Sequence, residues 1–242
     1  MRGNIDLFTC DGYNCSIYVP EQYIEGEARF PVVYVNGAND IRDIAYAIEP
    51  YFYKDCPPFI LVNIKPKSWN DDYTPWSAKG IARDGEDFGG KADNYIETLL
   101  YKIKPYIDTN YRTKSDYKNN VLLGYSLGGL LALYALYRCE GFGKVGSLSG
   151  SLWYDKWTEY MSLNNPYNKD AKVYLSLGIK ESKSRNLRMA NVGVCTEKAF
   201  EILQEQLSSE ENVKLEWNNG GHFTEITERF IKAILWLVKD IK

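Results

Sequence analysis

One histidine stands in a chain of 242 residues. A metal centre built on imidazoles needs more than one, and the five cysteines (Cys10, Cys15, Cys56, Cys139, Cys195) do not make up the deficit. Their number is odd, their spacing irregular, and no CxxC pair occurs, so neither a zinc site nor a disulfide framework is expected. The thiols read as reduced and mostly buried. No stretch approaches the roughly 20 apolar residues of a membrane span, and the opening segment has no apolar h-region behind its single arginine. A membrane partner is therefore not expected, and the expected compartment is the cytoplasm. A surplus of positive charge is missing as well. The 29 basic and 32 acidic residues leave a net charge of -3 and a pI of about 5.4, with the basic residues scattered through the chain, which argues against nucleic acid as a partner.

What the chain has is hydrophobic content of 45% and a regular alternation of apolar runs with helical patterns, enough for one sizeable core. Runs at 30–35, 59–64, 120–123, 145–148, 172–177 and 213–217 read as strands. Amphipathic or Ala/Leu-rich stretches at 41–48, 92–109, 127–138, 190–207 and 224–239 read as helices. Segments 5–9 and 14–18 flank an Asp11-Gly12 turn and read as an edge hairpin. The expected architecture is α/β: a single domain over 1–242 whose mostly parallel sheet of about eight strands carries helices on both faces. Residues 65–91 break the alternation. With Trp69 and Trp76 in it, that interval is expected to be an ordered loop forming one wall of a site.

The chemistry concentrates in Val121-Leu-Leu-Gly-Tyr-Ser-Leu-Gly-Gly129, where G-x-S-x-G directly follows an apolar strand and opens a helix. In that context a sharp turn projects the Ser126 hydroxyl, with glycines leaving room for close backbone passage. Serine needs a base to take its proton, and the only imidazole is His222, in a turn before the last helix. An acid is expected after the 172–177 strand, where Gly178-Ile-Lys-Glu181 offers Glu181, with Asp155 after the preceding strand as the alternative. Oxyanion donors are expected from the backbone amides of Leu127 and of Ala38 in Asn36-Gly-Ala-Asn-Asp40, where Gly37 or Asn39 could serve after a small shift. Trp76 and Trp153 are expected to face the substrate from opposite sides.

Five landmarks then occur in order: Asp72-Tyr-Thr-Pro-Trp76, Gly89-Gly90, Lys104-Pro-Tyr-Ile-Asp-Thr-Asn-Tyr-Arg112, Gly124-Tyr-Ser-Leu-Gly-Gly-Leu130 and Ser147-Leu-Ser-Gly-Ser-Leu-Trp153. Together they resemble the "putative esterase" family of α/β-hydrolases, which holds enterochelin esterases, feruloyl esterase domains and S-formylglutathione hydrolase. The resemblance implies a serine carboxylic-ester hydrolase without cofactor or metal, with Ser126, Glu181 and His222 as nucleophile, acid and base. Its partner would be a small or medium acyl ester of sugar, phenolic or siderophore type. An acyltransferase or a non-catalytic binding protein of the same fold are the competing readings. Tyr125 stands where many members have His or Met, and Asn36 where His is common, so the pocket wall differs from theirs.

Overall fold

A computed structural model describes residues 1–82 and 85–241. Its strands are β1 (Asn4–Cys10), β2 (Tyr13–Val19), β3 (Val32–Asn36), β4 (Ile60–Lys65), β5 (Ser77–Ala78), β6 (Phe88–Gly89), β7 (Asn120–Tyr125), β8 (Lys144–Leu148), β9 (Lys172–Gly178) and β10 (Val213–Asn218). Among the described residues eight of them form one sheet in the order β1-β2-β4-β3-β7-β8-β9-β10. Every pairing from β4 to β10 is parallel, and β2 runs antiparallel to both of its neighbours. The β1–β2 turn places Asp11 at φ 50° and Gly12 at φ 75°, the doubly left-handed geometry that a tight hairpin twist requires.

Both faces of the sheet are covered, which is why its central strands are runs of Val, Leu and Ile rather than alternating sequences. In β3, Val33 and Val35 pack toward helices Ile41–Ile48 and Ile226–Val238. Val32 and Tyr34 pack into the opposite layer with helix Leu127–Leu136 and residues of helix Val192–Gln206. The strand starts at Val32 rather than at residue 30 because Pro31 has no N–H to donate, leaving Phe30 a single bridge to Thr113. The helix expected over 92–109 is interrupted: α-helix Ala92–Thr98 passes through a wide π turn at Leu99–Ile103 before Lys104–Asn110. Pro105 opens that last segment, and the wide turn accommodates a residue that cannot bond to the carbonyl one turn earlier.

Residues 65–91, of which 83 and 84 lie outside the described residues, are ordered by their own hydrogen bonds. A short helix, Trp69–Asp72, is capped by Ser68 Oγ, which accepts from the Asp71 amide at 3.3 Å. The Asp72 carboxylate accepts from the Lys67 amide at 2.8 Å, Lys91 pairs with Asp71 at 2.7 Å, and β5 and β6 close a two-residue ribbon. Gly90 sits at φ 69°, and a Cβ there would lie 2.2 Å from the Trp76 carbonyl carbon. Among the described residues no helix is long and apolar enough to cross a membrane.

The close passage expected around Ser126 is present. A Cβ on Gly124 would lie 1.8 Å from the Gly128 carbonyl oxygen, and one on Gly128 would lie 2.7 Å from the Asn36 carbonyl oxygen. Strand β7 and the helix after it therefore meet backbone to backbone. Gly124→Ala should consequently lower unfolding free energy by about 3 kcal/mol or more, because backbone rather than a flexible side chain must move. Gly221→Ala, where a Cβ meets nothing within 4 Å, should stay within about 0.5 kcal/mol of the parent. Chemical denaturation of the two variants measures both, and equal stability would contradict the packing argument.

Candidate active site

Ser126 connects β7 to the helix Leu127–Leu136 with φ 58° and ψ -123°, a region that a non-glycine residue occupies at a cost of about 1–3 kcal/mol. Surrounding hydrogen bonds hold it there. Its amide donates to the Leu148 carbonyl at 3.0 Å, and its carbonyl accepts from the amides of Gly129, Leu130 and Ser151 at 3.0, 3.1 and 3.0 Å. The result is a hydroxyl standing in a cleft of about 420 Å³ at the carboxyl ends of the strands.

Two turns bring their side chains to that hydroxyl. His222 lies between β10 and the last helix, with Nε2 3.1 Å from Ser126 Oγ. Glu181 opens the turn after β9, with Oε2 2.8 Å from His222 Nδ1. An ionised carboxylate beside Nδ1 assigns the proton to that nitrogen and leaves Nε2 to accept from the serine. The other oxygen of Glu181 accepts from the Gly178 amide at 2.7 Å, from Ser149 Oγ at 2.7 Å and from Arg229 Nη1 at 3.0 Å. Burial pushes the pKa of this carboxyl up, but hydrogen bonds from His222, Ser149 and Gly178 more than offset it and hold the group below its ordinary value. Glu181 therefore stays ionised although only 4% of its side chain is exposed.

Arg229 is wholly buried and pairs with that carboxylate. Removing one member of such a pair leaves the other charge uncompensated, at a cost on the order of 3–5 kcal/mol. Because the folded pKa of Glu181 is depressed, its contribution is present above the unfolded value. It is lost as pH falls from the usual glutamate range near ~4.3 through the lower folded value. Glu181→Gln should thus be destabilised at pH 7 and show a flatter fall in stability below about pH 4.3 than the parent. Denaturant titrations across that range provide the measurement, and parallel curves would show that the carboxylate is not held ionised by its neighbours.

Of the other residues singled out in the sequence, Leu127 and Trp153 line the cleft and Ala38 occupies the turn after β3. That turn begins at Gly37, φ 83°, where a Cβ would come within 3.0 Å of the Trp69 ring. Trp76 corrects an expectation: it does not line the cleft. Its indole packs among Tyr134, Tyr154, Trp157 and Tyr160, with ring centroids 5.3 to 6.4 Å away, and its Nε1 donates to the Asp155 carbonyl at 3.0 Å. The bond from Gly90 to Thr74 Oγ1 and the β5–β6 ribbon fix the chain so that this half-buried indole packs against the core. Trp69, from the short helix before it, lines the cleft instead. Asp155 pairs with Arg188 at 2.9 Å, whereas His222 pairs with Glu181.

Arg229, Ser149 and Ser151 are not among the residues that the sequence singles out for the site. Arg229 left a signal, since it stands four residues before Ala233 on the apolar face of its helix, beside Phe230. Ser149 and Ser151 left one in Ser147-Leu-Ser-Gly-Ser151, where one segment aims alternate hydroxyls at Glu181 and, across 3.5 Å, at Ser126. Lys180 and Lys183 line the cleft beside Glu181.

This sheet order, with the nucleophile-type turn after β7, is the α/β-hydrolase fold. Residues 10–233 match the family model described as "Putative esterase". The chain belongs to that family and is an esterase. It is 27% identical over 242 residues to the uncharacterized protein YbbA of Bacillus subtilis, covering 98% of this chain and 97% of that one. Its fold is similar to that of an IroE-like serine hydrolase from Shewanella oneidensis, with a TM-score of 0.81 and 19% identity, covering 98% of this chain and 80% of the other. It is also similar to the siderophore hydrolase EstA from Aspergillus nidulans, with a TM-score of 0.77 and 16% identity, covering 98% and 94%.

Proposed function

We propose that the protein hydrolyses carboxylic esters through an acyl-enzyme on Ser126, with His222 as general base and acid and Glu181 as the orienting acid. The observation that carries this reading is the unbroken hydrogen-bonded line from Glu181 through His222 to a serine hydroxyl that opens into the cleft. In the first half-reaction Ser126 Oγ attacks the ester carbonyl carbon while its proton passes to His222 Nε2. The tetrahedral oxyanion accepts hydrogen bonds from the Leu127 and Ala38 amides, donors whose individual removal costs about 2.7–4 kcal/mol in comparable sites. The Leu127 amide is suited to this because the first helical N–H groups have no intrahelical acceptor, and the positive end of the dipole faces the charge. Collapse of the intermediate breaks the bond to the alcohol, which leaves with the proton from Nε2. Water then enters, gives its proton to Nε2 and attacks the acyl carbon, and the second collapse returns that proton to Ser126 Oγ as the carboxylic acid leaves. Glu181 keeps its charge throughout and stabilises the imidazolium.

The substrate reading is a small or medium acyl ester of phenolic, siderophore or sugar type. Support comes from the cleft volume of about 420 Å³, from the aromatic walls supplied by Trp69, Phe88 and Trp153, and from neighbours described as siderophore hydrolases and a ferulic acid esterase. Ser126→Ala removes the nucleophile and little volume. It should lower kcat on p-nitrophenyl acetate by about 10⁴-fold while leaving the melting temperature near that of the parent. A purified variant retaining a tenth of parental kcat would overturn the assignment.

A further inference from the structure

Arg229 takes no part in the proton transfers above, yet it is buried at the centre of the groups that make them. It sits in the first turn of its helix, the end at which the macrodipole disfavours a cation, so its place needs an explanation other than helix formation. Its acceptors supply one. Nη1 donates to Glu181 Oε1 at 3.0 Å, to Tyr125 OH at 3.3 Å and to Ser149 Oγ. Nη2 donates to the carbonyls of Gly221 at 2.9 Å and Asn219 at 3.5 Å. These acceptors come from the acid itself, from the turn that carries His222, and from the residue before Ser126. Tyr125 closes the circuit by donating its hydroxyl to the His222 carbonyl, and Ser149 by donating to Glu181.

We propose that Arg229 is a positioning residue for ester hydrolysis: it holds Glu181 by Oε1 so that Oε2 faces His222, and holds the histidine turn by its carbonyls so that Nε2 reaches Ser126. A flexible glutamate could present either oxygen to the imidazole, and the turn Asn219-Gly-Gly-His222 contains two adjacent glycines with little stiffness of their own. One guanidinium with donors in a fixed planar fork removes both freedoms at once, which a lysine ammonium cannot do. The inference rests on the roles proposed above for Glu181 and His222.

The test measures kcat and KM on p-nitrophenyl acetate for Arg229→Lys and Arg229→Ala, each alone and together with Glu181→Gln, with thermal melting to establish folding. A positioning role lowers kcat by about 10- to 100-fold with KM changed less than about twofold. It also makes the Arg229 substitution nearly silent once Glu181→Gln is present, because the two residues act as a unit. Millimolar guanidinium ion should restore part of the kcat of Arg229→Ala. A folded Arg229→Lys with parental kcat overturns the proposal, as do losses that multiply in full on the Glu181→Gln background. Should neither Arg229 variant fold, Tyr125→Phe and Ser149→Ala decide, since each removes one acceptor of the guanidinium, together with its own bond to the His222 carbonyl or to Glu181, without stranding a charge. Lowered kcat at unchanged KM supports the role, and parental kcat in both overturns it. An active Ser126→Ala would sink the underlying reading, whereas an inactive Ser126→Ala beside a fully active Arg229→Lys sinks this inference alone.

Discussion

The site hangs on a single backbone conformation, that of Ser126 at φ 58°. A strand that ran on past Tyr125 would keep its side chains alternating between two packed helical layers and would present no hydroxyl to solvent. The reversal at Ser126 lifts the side chain out of that alternation and turns the chain at once into a helix. It is held by a bond to the Leu148 carbonyl and one from the Ser151 amide on the β8 side, and by the first turn of the helix itself. Gly124 and Gly128 are the consequence: with the chain folded back so closely, carbonyl oxygens occupy the space where their Cβ atoms would be. Strain of this size persists only in surroundings that over-determine it, and β7 lies between β3 and β8 in the interior of the sheet.

Charge is organised around the same point. A guanidinium, a carboxylate and an imidazole stand in line at the cleft, the carboxylate bonded to both of the others and the guanidinium also to backbone carbonyls. Low local dielectric strengthens every one of these contacts and makes each unaffordable alone. Hydrogen bonds from His222, Ser149 and the Gly178 amide keep Glu181 ionised in a place where burial would otherwise neutralise it, and an ionised acid selects the tautomer of His222 protonated on Nδ1. Lys180 and Lys183 add positive charge at the rim, outside this buried line.

Much of this was legible in the residues, for physical reasons that differ between elements. Helix Ile41–Ile48 begins and ends where its apolar spacing does, and the Asp11-Gly12 turn has the conformation its residues favour. Strands β7 and β9 each run one or two residues past their apolar stretch, because Gly124, Tyr125 and Gly178 continue the ladder without continuing the pattern. Ser126, Glu181 and His222 are marked by flanking elements and by chain order, and the folded chain brings all three within hydrogen-bond distance. Trp76 and Trp69 could not be told apart in that way. Both stand in an interval without periodicity, and which indole packs against the core depends on a Thr74 hydroxyl and a two-residue ribbon. Arg229 reads in sequence as one basic residue in an amphipathic helix, and its role depends on acceptors 8 to 104 positions away.

The central claim is that Ser126 is a nucleophile activated by His222. Intact-protein mass spectrometry after exposure to a fluorophosphonate, followed by peptide mapping, measures it most directly, because the reagent reacts far faster with a hydroxyl activated in this way than with an ordinary one. The account predicts one adduct per chain, located on Ser126, and its loss in His222→Ala. Labelling that maps to another residue, or that proceeds at the parental rate without His222, would contradict it.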